Sequence, residues 1–226
     1  VAESLTPADI LYMAERMVGE VAKRGGDNNN RPKFSKTEQS QFDQLLAKAD
    51  KMIAEQGKLL APNGKPSKLN RYQWAQVRTD NFKAWFGDWE NDPENSSKVV
   101  DENGEPLVVY HGSRTQNITE FYTWTGGIFG AGTYFTIRKH EAHGYSNDGV
   151  VYEAFINARK PLRVSEKAYD QSYFRPASQD EIIRLGYDST ITTTGINHNI
   201  DYVIAISPTQ IKSATDNNGE FSPTNP

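Results

Sequence analysis

The sequence predicts an α+β fold in which an α-helical N-terminal region precedes a mostly β region. Through Phe86, apolar residues recur at three- and four-residue steps behind helix-capping residues. From Lys98 onward the texture changes to short β-branched and aromatic runs separated by turns. An aromatic content of 11% in 226 residues adds that the chain builds a packed core rather than remaining generally disordered.

Thr6, Pro7 and Asp9 open a first helix over 6–24, with Ile10, Ala14, Met17 and Val21 along one side. Residues 25–33, with Gly-Gly-Asp-Asn-Asn-Asn, lack apolar periodicity and read as a flexible linker. Ser35 and Glu38 form a second capping box ahead of an apolar stripe of Phe42, Leu45, Leu46, Ala49, Met52 and Ile53, which ends near Gly57. Residues 61–70 are another connector. A third helix is expected over 72–86, burying Trp74, Val77, Phe82, Trp85 and Phe86 before Gly87 stops it. Helical spacing explains these aromatic side chains as core packing without any ligand.

In the β region, Val99-Val100 and residues 107–110 flank a turn whose Asn103-Gly104 pair favours a tight hairpin. Further strands are expected at 132–136, 150–156, 189–193 and 202–206, with Ala142 in a short helix and an irregular tail from Thr215. The expected division is a helical appendage with flexible linkers over 1–70 and a second domain over 71–226. A chain running from Val1 to Pro226 also reads as a fragment.

Composition removes several kinds of chemistry. The absence of cysteine excludes disulfides, thiolate catalysis and cysteine-ligated zinc. The net charge of −4 carries no clustered positive excess of the kind that tracks phosphates. No apolar run approaches the roughly 20 residues that span a bilayer, and the first 30 residues are unlike a signal peptide, so a soluble chain without membrane partners is expected. His140 and His143 near Glu141 lack the spacing and the partners of a metal site, and His198 reads as a loop residue, so no metal is expected.

Three segments place a polar residue at or beside the end of a strand, where a rigid sheet can aim it: Tyr110-His111-Gly112-Ser113-Arg114-Thr115, Ile128–Thr136 and Asp201-Tyr202-Val203-Ile204-Ala205. Singly each is weak, since a histidine before Gly-Ser, a glycine-rich turn and an aspartate ahead of a strand all have ordinary structural uses. In this order they resemble the histidine-tyrosine-glutamate branch of the ADP-ribosyltransferase superfamily, which includes the poly(ADP-ribose) polymerases and diphtheria toxin. That branch places His-Gly-Ser/Thr on its first core strand, Gly-x-Tyr-Phe on the second, and an acidic residue at the start of a late strand. Tyr145, eleven residues after Tyr134, matches its second nicotinamide-stacking tyrosine. Transferase domains of phage polyvalent proteins and bacterial polymorphic toxins are closer still, through residues 81–89, 99–112 and 207–214. The resemblance covers roughly residues 79–226.

The resemblance implies an ADP-ribosyltransferase-like split β-sandwich as the catalytic domain over 71–226, with NAD+ as co-substrate. His111, Tyr134 and Asp201 would be catalytic, and His111, Gly112, Ser113, Arg114, Tyr134 and Tyr145 would bind the dinucleotide. The chemistry agrees. Two phenol rings can hold the cationic nicotinamide, glycine admits close backbone approach, and imidazole can hydrogen-bond a ribose hydroxyl. A carboxylate is most stabilising once oxocarbenium-like charge develops on the ribose.

Two departures stand out. Asp201 replaces the usual glutamate and is one methylene shorter, with Asp188 and Glu153 as weaker substitutes and Gln210 assigned to a structural turn. Ala142 replaces a serine that meets the carboxamide in the polymerases. The reading is mono-ADP-ribosylation of a macromolecular acceptor (protein, RNA or DNA) by a toxin or effector. Its alternatives are NAD+ glycohydrolysis and a catalytically weakened NAD-binding interaction module. The resemblance also carries a setting: cytoplasmic action, delivery from a phage particle or secretion system, and an immunity protein as partner.

Overall fold

The computed structural model describes residues 35–125, 127–165, 178–194, 199–215, 217, 221 and 224. The expected helix over 6–24, the linker over 25–33 and His198 lie outside them. The chain divides into two units, Val1–Lys33 and Phe34–Pro226, and the described residues all belong to the second.

Helix α1, Lys36–Gln56, begins and ends as its sequence dictates. The Glu38 N–H donates to Ser35 Oγ (3.3 Å), the Ser35 N–H donates to Glu38 Oε2 (2.6 Å), and Gly57 closes the helix at φ 71°. The expected single helix over 72–86 is instead two, α2 (Arg71–Gln76) and α3 (Asp80–Phe86). Asn70 caps the first in a box with Gln73, and the Thr79 hydroxyl accepts the Phe82 N–H (3.3 Å), restarting the helix after a break.

The break serves packing, because it lets Trp74, Val77, Phe82, Trp85, Phe86 and Trp89 converge on one core with Ala49, Leu59, Leu69, Phe155, Ala214 and Phe221. Phe82 makes edge contacts with Phe155 and Phe221 at 5.2 and 5.1 Å, so these rings are core, as their spacing implied. Each buried indole N–H finds a carbonyl: Trp74 at Leu60, Trp85 at Thr209 and Trp89 at Val77. Residues from Lys36 to Asn70, placed by sequence in the appendage, belong to the same compact unit as the strands.

Seven strands follow: β1 (Val109–Ser113), β2 (Thr133–Thr136), β3 (Val150–Ile156), β4 (Pro161–Ser165), β5 (Ser189–Thr194), β6 (Asn199–Ala205) and β7 (Ile211–Ser213). Two short helices, α4 (Lys139–Ser146) and α5 (Gln179–Arg184), interrupt them. The strands form one curled sheet in the order β4-β5-β6-β2-β1-β3-β7, antiparallel except for β4 beside β5. Where a hairpin was expected, the Asn103-Gly104 turn is present, but Val100 and Pro106 meet only as an isolated bridge and regular pairing begins at Val109.

The sheet is nearly cut in two. β1 and β2 pair only at Tyr110 and Thr136, leaving the halves β4-β5-β6-β2 and β1-β3-β7 on either side. Both halves send side chains into a second core: Val109, Ala154, Ile156 and Ile211 from one, and Phe135, Ile191, Val203 and Ala205 from the other. A sheet split at its middle and folded over a shared core has the architecture of a split β-sandwich.

A buried ion pair ties the helices to the turn ahead of β1. Arg78 Nη2 donates to Glu105 Oε1 at 2.6 Å, and the guanidinium lies over Trp74 at 3.9 Å. The Glu105 side chain is fully buried, so truncating it leaves the buried guanidinium only its longer, 3.5 Å contact to Glu90. Glu105→Ala is expected to lower unfolding free energy by about 3–5 kcal/mol, read from urea denaturation.

Candidate active site

The fork between β1 and β2 brings the first two candidate residues together. Past the Tyr110–Thr136 pair the strands part, and the His111 imidazole reaches across, with Nδ1 2.8 Å from the carbonyl oxygen of Tyr134. A carbonyl only accepts, so Nδ1 carries the hydrogen and Nε2 of the neutral ring is left as an acceptor. Phe121 and Phe135 flank the ring at 5.2 and 5.5 Å. Burial lowers the His111 pKa below its ordinary value, against a smaller opposite effect from the Tyr134 carbonyl, which favours the neutral form.

His111 meets the backbone of Tyr134, not its phenol. Strand alternation sends Phe135 into the core and places Tyr134 and Thr136 on the other face, where their cross-strand partners are Ile204 and Tyr202. The Tyr134 hydroxyl is held by the glycine-rich turn: it donates to the Gly130 carbonyl (2.6 Å) and accepts from the Phe129 N–H (3.0 Å). A Cβ on Gly127 would lie 2.0 Å from that hydroxyl. The turn therefore needs glycine there to wrap the phenol, and burial raises the phenol's pKa.

Gly112 faces α4. A Cβ at this position would come within 1.8 Å of the Ala142 carbonyl oxygen, so glycine is required for the helix to lie on β1. Ala142, at the expected serine position, is fully buried against it. The Ser113 hydroxyl accepts the Thr115 N–H (3.1 Å) and shapes the exit from β1, while Arg114 is exposed. Tyr145, in the last turn of α4, is 68% exposed, which leaves its ring accessible.

Asp201 is buried near the start of β6 and is ion-paired with Arg138 Nη2. Arg138 Nε donates to Glu141 Oε1 at 2.5 Å. Glu141 Oε2 accepts from the Thr136 hydroxyl at 2.8 Å and the Tyr202 hydroxyl at 3.3 Å, and Tyr202 lies beside Tyr145. The hydrogen bond to Glu141, reinforced by Asp201, raises the Arg138 pKa despite burial. Burial alone would raise the Glu141 pKa, but its donors, Arg138 foremost, bring it below the ordinary carboxylate value. Burial foremost, then the neighbouring Tyr145 and repulsion from the two carboxylates, raise the Tyr202 pKa.

Tyr145 and Asp201, far apart in sequence, are thus joined through Tyr202, Glu141 and Arg138. Sequence reasoning missed the last two as site residues. The one local signal was their three-residue spacing at a helix start.

The weaker substitutes have structural work. Asp188 accepts the Arg159 and Lys160 N–H groups, both at 2.9 Å, and Glu153 pairs with Lys139 at 2.6 Å. Gln210 accepts from the Ile206 and Ser207 N–H groups and donates to the Asn157 and Asp188 carbonyls, bearing out its assignment to a turn. Among the described residues no group of three or more histidines and carboxylates is arranged to hold a metal, and no helix is long and apolar enough to cross a membrane.

The family described as ADP-ribosyltransferase in polyvalent proteins matches residues 101–221, which is 121 of the 226 residues. The chain belongs to this family. The match spans β1 through β7 and includes every residue of the fork and of the Arg138 network. Membership makes the protein an ADP-ribosyltransferase by family, with NAD+ the implied substrate and phage polyvalent proteins the implied association. No curated protein matches the chain.

Two outcomes follow for this transferase. A methyl group on Gly112 must push α4 from β1, so Gly112→Ala is expected to cost about 1–3 kcal/mol of stability by thermal unfolding and to weaken NAD+ binding in calorimetry. The second concerns pH. With the His111 pKa lowered from 6.5, the unfolded chain binds the proton first as pH falls, so the unfolded state is the more protonated in that window. His111 therefore contributes stability that is present above about pH 6.5 and lost as pH drops toward the lowered value. Unfolding free energy measured from pH 7.5 down to about 5 should fall less steeply in His111→Gln than in the parent.

Proposed function

We propose that the protein cleaves NAD+ at the nicotinamide–ribose bond and transfers a single ADP-ribose to a macromolecular acceptor. His111, Tyr134 and Asp201 are the catalytic residues, Gly112, Ser113, Arg114 and Tyr145 complete the dinucleotide site, and residues 71–226 carry the chemistry. The carrying observation is the neutral imidazole locked at the fork, with Nδ1–H on the Tyr134 carbonyl and Nε2 left to accept from a ribose hydroxyl. The 2.8 Å contact supports this division of labour between the two ring nitrogens.

In this reading the nicotinamide packs against the rings of Tyr134 and Tyr145. As the C1′–N bond breaks, its electron pair goes to the ring nitrogen and neutral nicotinamide leaves. Positive charge on the ribose faces the Asp201 carboxylate, and an acceptor nucleophile bonds to C1′ and gives up its proton. Because His111 must accept a hydrogen bond at Nε2, protonation removes that contact and leaves the phenol rings untouched. Family membership supports a transferase. A toxin or effector role for a polyvalent-protein domain, cytoplasmic action, delivery from a phage particle or secretion system, and an immunity partner belong to the same proposal.

Incubation with NAD+ labelled in the adenylate and with cell extract tests this. Labelled protein or nucleic acid is expected. Free ADP-ribose alone would instead identify a glycohydrolase, and binding without nicotinamide release would identify an NAD-binding module. His111→Ala and Tyr134→Ala should each lower the rate of nicotinamide release about a hundredfold or more. Unchanged turnover in both would remove the fork from the mechanism.

A further inference from the structure

Asp201 does not face the site as a lone carboxylate. Its partner Arg138 carries a full positive charge, so the pair alone would present a dipole with no net charge to the ribose. Glu141 changes this balance. It takes the neighbouring Nε–H of the same guanidinium, at 2.5 Å, is ionised, and is anchored by Thr136 and Tyr202 on the face that carries Tyr134. Two carboxylates around one guanidinium leave one net negative charge.

We propose, resting on the NAD+-cleaving function above, that Glu141 and Arg138 are positioning residues for Asp201. Arg138 fixes the direction of the short carboxylate, and Glu141 cancels the charge of Arg138 so that the cluster retains one negative charge toward the developing oxocarbenium. The remaining contacts fit this role. Thr136 and Tyr202 donate to Glu141 Oε2, leaving Oε1 for Arg138, so the carboxylate has no freedom to turn away. Tyr202 also lies beside Tyr145, which sets the carboxylate cluster next to the ring assigned to the leaving group.

The charge argument separates from a merely structural one in the kinetics of nicotinamide release. Glu141→Gln keeps the shape and an acceptor oxygen for Thr136 and Tyr202 but makes the cluster neutral. It should lower kcat about tenfold or more, with KM for NAD+ changed less than about threefold. Glu141→Asp, which keeps the charge, should retain kcat within about threefold and serves as a second variant of intact fold.

Melting temperatures of all variants set the assay temperature below the lowest of them. Parental kcat in Glu141→Gln, or a loss in Glu141→Asp as large as in Glu141→Gln, overturns the positioning role while leaving NAD+ cleavage intact. No nicotinamide release from the parent protein overturns the functional reading instead.

Discussion

One hydrogen bond at a strand fork organises the rest of this molecule. β1 and β2 share a single paired position, Tyr110 with Thr136, and immediately beyond it the ladder is replaced by a side chain: His111 takes the Tyr134 carbonyl. A partly buried carbonyl deprived of its strand partner has to be satisfied, and leaving it bare would cost about 1–3 kcal/mol. The imidazole meets that need only as the tautomer with hydrogen on Nδ1. The same bond that closes the fork therefore sets the protonation pattern of the candidate site, and the apolar surroundings of Phe121 and Phe135 hold the ring neutral.

Around the fork, glycines act by what they leave out. Gly112 gives α4 room to rest its Ala142 carbonyl on β1, and Gly127 gives the Tyr134 hydroxyl room inside its turn. At Gly112 an added Cβ would meet helix backbone, which side-chain adjustment cannot relieve, and at Gly127 it would displace the Tyr134 phenol itself. The consequence for a ligand is indirect but firm. α4 carries Tyr145 and Glu141, so the clearance at Gly112 is also what brings these two residues to the β2–β6 face.

Much of this was readable where the physics is local. The Ser35–Glu38 box and Gly57 mark the ends of α1 because capping depends on residues three or four apart. The buried faces of Trp74 and Phe82 follow from helical period. The interruption of the expected 72–86 helix turned on Thr79, whose capping power competes with a periodicity that continues through it. β4 and β7 went unrecognised because they are short runs, Pro-Leu-Arg-Val-Ser and Ile-Lys-Ser, without clear alternation, defined by the neighbours they pair with. In the site, strand-end residues such as His111 and Asp201 stand out in sequence. Arg138 does not, since its pairing with Asp201 spans 63 residues and only the fold creates it.

That unforeseen pairing bears on the shorter carboxylate. In sequence, an aspartate where the resemblance leads to glutamate suggests a deficit of about one C–C bond length, and a misplacement of about 1 Å can cost a hundredfold when geometry governs the step. A bare deficit would leave a nearby donor without its acceptor. Around Asp201 the opposite holds among the described residues: Arg138 is engaged by two carboxylates at once, and Glu141 by three donors. In the proposed reading the cluster therefore offers direction and net charge rather than reach, because a guanidinium bonded to Asp201 can aim it, and a second carboxylate on that guanidinium keeps the aimed group from being electrically silent.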